Sequence, residues 1–223
     1  MIFIVLVVIG LVVAGVLLFS GGGSPVKKSP ATFLEDIRKY TDGTLQSQKG
    51  RQQVCFRFDG QDFVFEVARE SGFKGDVDQY YLKAVTAGHF SLNFTEKRRK
   101  KIVTQDLFMA SEVPEDIQAE RKELHMPKEL KDFDVITSNK AWAQELLEDA
   151  KIVRILRRYV VMDGQGRPTV SLNVIEGCLV LRFYHSGPLQ PDITDLQKNV
   201  PAIEGYAQEL LVLIEKLNRL AHG

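Results

Sequence analysis

The chain has 223 residues, with 29 Lys and Arg against 29 Asp and Glu, 44% hydrophobic residues and 26% charged ones. That apolar fraction suits a folded core and excludes a disordered or collagen-like chain, while zero formal net charge withholds the overall pull toward phosphate that a dedicated nucleic-acid binder carries. Cys55 and Cys178 are too few to frame a secreted disulfide scaffold and show no metal-ligand spacing.

Ile2 to Phe19 is an unbroken apolar run of 18 residues. As a helix rising about 1.5 Å per residue it covers the hydrocarbon thickness of a bilayer, so residues 1–20 are read as a transmembrane anchor. A cleaved signal peptide is the competing reading, supported by the small Ser20 and Gly22 but opposed by the length of the run and the lack of a basic start. Lys27, Lys28, Arg38 and Lys39 follow the run and no Lys or Arg precedes it, which orients the bulk of the chain toward the cytoplasm at an inner membrane. Gly10 and Ala14 stand four apart, a spacing that lets two such helices approach and form a homodimer. Residues 21–31, opening with GGGSP, read as a flexible linker to a soluble domain over 32–223, which divides by pattern into halves 32–110 and 131–223.

In ATFLEDIRKY, Phe33, Leu34 and Ile37 share one helical face, and Asp42-Gly43 predicts the end of that helix. QVCFRF and QDFVFEV flank Asp59-Gly60, the strongest short hairpin signal in the chain. Tyr80 to Thr86 and His89 to Thr95 read as a second strand pair around Ala87-Gly88, and Ile102 to Phe108 as a further strand. Asp116 to His125 reads as a short charged helix stopped by Pro127, and Asp132 to Ile136 as a short strand. Ser138 or Asn139 then caps a long helix whose Trp142, Leu146, Val153, Leu156 and Val160 fall on one stripe, acidic early and basic late. Thr169 to Ile175, a Glu176-Gly177 turn and Cys178 to Tyr184 form another hairpin. A last helix from Pro201 carries Ile203, Ala207, Leu210, Ile214, Leu217 and Ala221 at steps of four and three, with Tyr206, Leu213 and Leu220 as a second stripe that favours a core helix over a coiled coil. The predicted class is α+β, an N-terminal transmembrane helix followed by mainly antiparallel hairpins packed with two long helices.

The stretches IVTQDLF (102–108), EDIQ (115–118), FDVITSN (133–139), AWAQELLEDAKIVRILRRY (141–159) and GCLVLRFY (177–184) together resemble a pattern in membrane-anchored bacterial proteins of unknown function. The resemblance covers the C-terminal half and implies a bacterial, membrane-tethered domain. It implies no catalytic residue.

The four histidines, His89, His125, His185 and His222, make no HExxH or His-x-His pattern, and GQG at 164–166 precedes Pro168 rather than a helix, so no metal or cofactor is expected from local motifs. Asp76 with Asp78 and Asp132 with Asp134 place paired carboxylates on one side of an extended strand, a geometry that can hold a divalent cation or shift one carboxyl upward, while such Asp residues commonly cap helices and stabilise turns. The cysteines read as small strand hydrophobes kept reduced. The most pointed feature is Lys97, Arg98, Arg99, Lys100 and Lys101, a candidate surface for anionic lipid or a partner, answered in the following stretch by Asp106, Glu112, Glu115, Asp116 and Glu120. These features predict a membrane-tethered cytoplasmic interaction or assembly module. Its expected partners are the bilayer, through residues 2–19, and another membrane-associated protein, with nucleic acid disfavoured. The alternative is a membrane-anchored hydrolase that assembles Asp76, Asp78 and His185 in the fold.

Overall fold

Ser29 opens the first helix, α1 (Pro30–Thr41): its hydroxyl accepts from Thr32 N at 3.2 Å, and Pro30 supplies the preset φ of a first helical turn. Asp42 closes the helix in the left-handed region at φ 51°, and Phe33, Leu34 and Ile37 are fully buried beneath it, as their spacing predicts. In this computed structural model the described residues are 28–48, 51–72, 75–87, 90–96, 120–122, 124–162, 168–170, 172–175, 177–185 and 191–222. The 2–19 run with Gly10 and Ala14, the linker to residue 27, the strand predicted over 102–108 and the Lys97–Lys101 run lie outside them. Among the described residues no helix is long and apolar enough to cross a membrane.

The fold is α+β, built on one antiparallel sheet. Its strands are β1 (Thr44–Gln48), β2 (Arg51–Phe58), β3 (Gln61–Gly72), β4 (Gly75–Val85), β5 (Leu92–Glu96), β6 (Glu120–Lys122), β7 (Phe133–Thr137), β10 (Leu172–Ile175) and β11 (Cys178–Phe183), in the order β1-β2-β3-β4-β11-β10-β5-β7-β6. A two-stranded ribbon of β8 (Val160–Met162) and β9 (Pro168–Val170) stands beside it. Asp59 and Gly60, at φ 47° and 81°, make the β2–β3 turn that Asp-Gly predicts. Gly177, at φ 72°, lies in the predicted turn between β10 and β11.

The segments 80–86 and 89–95 do not pair with each other, contrary to the expectation from Ala87-Gly88. β4 pairs with β11, Leu82 opposite Leu181, while β5 pairs with β10 and β7. The reason is burial: the central strands of a covered sheet take the apolar partners that complete the core, and Leu181 and Leu82 are both fully buried. Strands from both predicted halves therefore share one sheet. Glu120 to Lys122, predicted within a helix, is an edge strand on β7, because backbone pairing opposite Val135 to Thr137 satisfies groups that a short charged helix would leave to water.

Helices pack on one face of the sheet. Phe33 meets Phe65 edge-on at 5.6 Å between ring centroids, and Phe183 meets Tyr206 at 5.0 Å. The long helix predicted after Asn139 is two, α2 (Lys140–Glu148) and α3 (Ala150–Arg158). Asp149 is extended between them and its Oδ1 accepts from Lys151 N at 2.9 Å and Ile152 N at 3.3 Å, starting a new helix where the stripe alone reads as continuous. Val160 has left the helix for β8. A short α4 (Ile193–Lys198) precedes α5 (Ala202–His222), whose Ile203, Ala207, Leu210, Ile214 and Leu217 are buried on the predicted face. Only α5, at 21 residues, is long, so one long helix and not two packs on the described hairpins.

Candidate functional site

Side chains alternate along a strand, so the sheet has a second face, opposite the one on which Phe33 and Tyr206 meet Phe65 and Phe183. Register builds it row by row across β2, β3, β4 and β11. One row runs Gln53, Glu66, Tyr81, Arg182, and the next runs Cys55, Val64, Lys83, Val180. Glu66 is the centre of this face, with only 7% of its side chain exposed. Lys83 Nζ lies 3.0 Å from Glu66 Oε2 and Arg51 Nη1 lies 3.4 Å from Oε1, both on diagonals of the register. A buried carboxylate is stable only with such partners, since desolvation of a lone charge costs several kcal/mol by order of magnitude.

Aromatic rings carry the cations. Lys83 Nζ sits 5.5 Å from the Tyr81 ring centre, and the Arg182 guanidinium 5.4 Å from that of Tyr184. Arg182 Nη2 donates to Gln79 Oε1 at 2.8 Å, while its Nε is buried without a hydrogen-bond partner. Burial pushes the Tyr184 hydroxyl above its ordinary pKa, opposed by the neighbouring Arg182 charge. At the rim, Arg57 Nε pairs with Asp62 Oδ1 at 2.9 Å. On these four strands the face carries Arg51, Arg57, Lys83 and Arg182 against Asp62 and Glu66, with the register adding Glu70 as a third acidic position and half-buried Val64 and Val180 between them. Cys55 and Cys178 are also on this face, both half-buried and neither in a disulfide, and burial followed by the charge of Asp62 raises the Cys55 thiol above its ordinary range, which disfavours the thiolate.

The hydrolase residues gather at one end of β4. Asp76 is ion-paired with Arg69 at 3.4 Å, and the His185 ring donates from Nε2 to the backbone carbonyl of Asp78 at 2.7 Å. The His185 ring also contacts Tyr80 edge-on at 5.4 Å. His185 is thus a stitch between the end of β11 and β4. Among the described residues no group of three or more His, Cys, Asp or Glu is placed to hold a metal ion, Asp132 and Asp134 included. No protein-family model, curated protein or solved structure matches the chain. The likeness of its C-terminal half to membrane-anchored bacterial proteins rests on the quoted stretches alone.

The second-face network is the feature that the sequence patterns passed over. Its signal was present as charged residues inside apolar strands, Glu66 between Phe65 and Val67 and Lys83 between Leu82 and Ala84. Only the register shows that these charges meet.

Proposed function

We propose that the protein is a membrane-tethered interaction module whose second sheet face receives an acidic surface of a membrane-associated partner. The observation that carries this reading is the face of β2, β3, β4 and β11, where Arg51, Arg57, Lys83 and Arg182 stand against acidic positions 62, 66 and 70 around half-buried Val64, Val180 and Tyr184, with Tyr81 buried among them. Aromatic residues and arginine around a small apolar centre are the composition of an interface core, and uneven charge gives the approach its direction. The apolar 2–19 run supports an inner-membrane anchor with the domain in the cytoplasm. There the Lys97–Lys101 run adds a contact to anionic headgroups worth about 1 kcal/mol per cation.

The test is co-purification of the full-length protein from its native cells in mild detergent, with mass spectrometry of what stays bound in stoichiometric amount. A defined partner lost in the Arg57→Glu/Arg182→Glu variant, with unchanged circular dichroism, is the expected result. Recovery of the protein alone, or a partner indifferent to that variant, overturns the assignment of this face. The headgroup contact is read separately: changing all five residues from Lys97 to Lys101 to Gln removes salt-sensitive binding to anionic liposomes.

A further inference from the structure

The two edges of the nine-stranded sheet are unlike. β6 is three residues long and wholly charged, Glu120-Arg121-Lys122, the usual protection of a strand edge against pairing. β1, at the other edge, is Thr44-Leu45-Gln46-Ser47-Gln48, five residues without a charge or a proline. Among the described residues no strand lies beside its outer backbone groups, because β1 is the last strand in the order and its described pairing is with β2. Leu45 lies opposite Val54. Val54 is fully buried, yet Leu45 on the same side of the sheet is 47% exposed, so the helix-covered layer stops half-way across this leucine. An apolar side chain cut off at the end of a core, on an edge without charges, marks a place where the sheet continues.

We propose that β1 pairs antiparallel with β1 of a second copy of this chain, joining two sheets across a two-fold axis with Leu45 opposite Leu45. An isologous contact sets each residue against its own symmetry mate, so a strand suited to it has no charge to repel itself, and β1 has none. In this register Thr44 lies opposite Gln46 of the partner copy and Gly43 opposite Ser47. The pairing adds ladder hydrogen bonds along the edge, and each Leu45 covers the exposed half of the other. A strand from another protein would gain the ladder but nothing from this self-matching of neutral residues, and for that reason the second copy is the occupant.

The experiment uses the full chain in mild detergent with Cys55→Ser and Cys178→Ser as background. Leu45→Cys is expected to form a covalent dimer under mild oxidation, since directly opposed β-carbons stand about 4.5–5.5 Å apart. Val85→Cys, 72% exposed at the end of β4, is the control and should not. Leu45→Lys and Leu45→Glu should each sediment at the mass of one copy, and an equal mixture of the two should recover the mass of two. A wild-type chain that sediments as one copy overturns the proposal. So does a dimer that survives Leu45→Lys together with cross-linking of Leu45→Cys no greater than that of the control, which assigns association to another surface such as the 2–19 run.

Discussion

Glu66 and Lys83 reach each other diagonally across β3 and β4 at 3.0 Å, and Arg51 closes on the same carboxylate from β2 at 3.4 Å. One carboxylate between two cations has a defined response to mutation. Lys83→Ala leaves Arg51 in place and should cost about 1–2 kcal/mol, the cost of a lost charge-assisted hydrogen bond. Arg51→Ala should cost a similar amount. Together they strand a carboxylate only 7% exposed, and the double variant should lose about 3–5 kcal/mol, more than the two singles summed. Urea titrations of the four proteins measure this cycle, and strict additivity would mean that the two cations act on Glu66 independently of each other.

Tyr80 gives a prediction with a sign in pH. It is fully buried, and burial, then the charge of Asp78, pushes its hydroxyl up to about 12. The Gln197 amide opposes this only weakly, because it approaches the hydroxyl without reaching hydrogen-bond geometry, which leaves Tyr80 Oη and Gln197 Nε2 both unpartnered. An unfolded tyrosine releases its proton near pH 10 while native Tyr80 keeps it to about 12, so the contribution is whole below pH 10 and is lost as pH rises through 12. That loss is about 3 kcal/mol by linkage, about two pH units at about 1.4 kcal/mol each. Tyr80→Phe should be neutral or stabilising by about 1 kcal/mol at pH 7, since it removes a buried hydroxyl that lacks a partner. It should also flatten the alkaline fall in stability, measured by denaturant unfolding between pH 9 and 12. Burial also raises the hydroxyls of Tyr159, Tyr184 and Tyr206, so a shallower slope remains in the variant.

The parts of the fold that were legible in the sequence are those fixed by neighbours along the chain. Asp59-Gly60 carries its own turn geometry, and the stripe from Ile203 to Leu217 carries its own buried face. The pairing of β4 with β11 spans about a hundred residues, as Leu82 opposite Leu181 shows, and no local signal encodes it. β1 was invisible because TLQSQ has no apolar alternation, its place being set by pairing with β2. α4 was missed for a different reason: six residues are too few for a periodic stripe, and the cap from Asp192 Oδ1 to Thr194 N at 2.6 Å is what defines it. The candidate face was half legible, in that the charges inside β3 and β4 were visible and their meeting at Glu66 was not.

Asp149 is a single side chain that divides one apolar stripe into two helices. It caps α3 through Lys151 N and Ile152 N while standing at the end of α2 in extended backbone, φ −82° and ψ 107°. Asp149→Ala removes the acceptor and should cost about 1 kcal/mol, whereas Asp149→Ser retains an acceptor and most of the stability. Thermal unfolding ranks the three proteins. Equal melting temperatures for the Ala and wild-type forms would show that packing of Leu147 and Ile152 alone holds the break.

Helices α3 and α5 roof an apolar cavity of about 10 Å³, bounded below by Leu92, Leu172 and Val174 of the sheet and above by Leu156, Leu213 and Leu217. A void of that size leaves its lining short of contacts without admitting a network of water, so the packing is near its limit from the small side. Leu213, 3% exposed, faces it from α5. Leu213→Ala enlarges the void by most of a side chain and should cost about 3–5 kcal/mol, and the variant should take up xenon or benzene as dry apolar cavities do. Val174→Ile moves the other way. It adds one methylene toward the gap and should lie between neutral and about 1 kcal/mol stabilising, as burial of a single such group allows. Denaturant unfolding of both variants settles the layer's packing: a cost below about 1 kcal/mol for Leu213→Ala would mean that α5 collapses onto the sheet to refill the space.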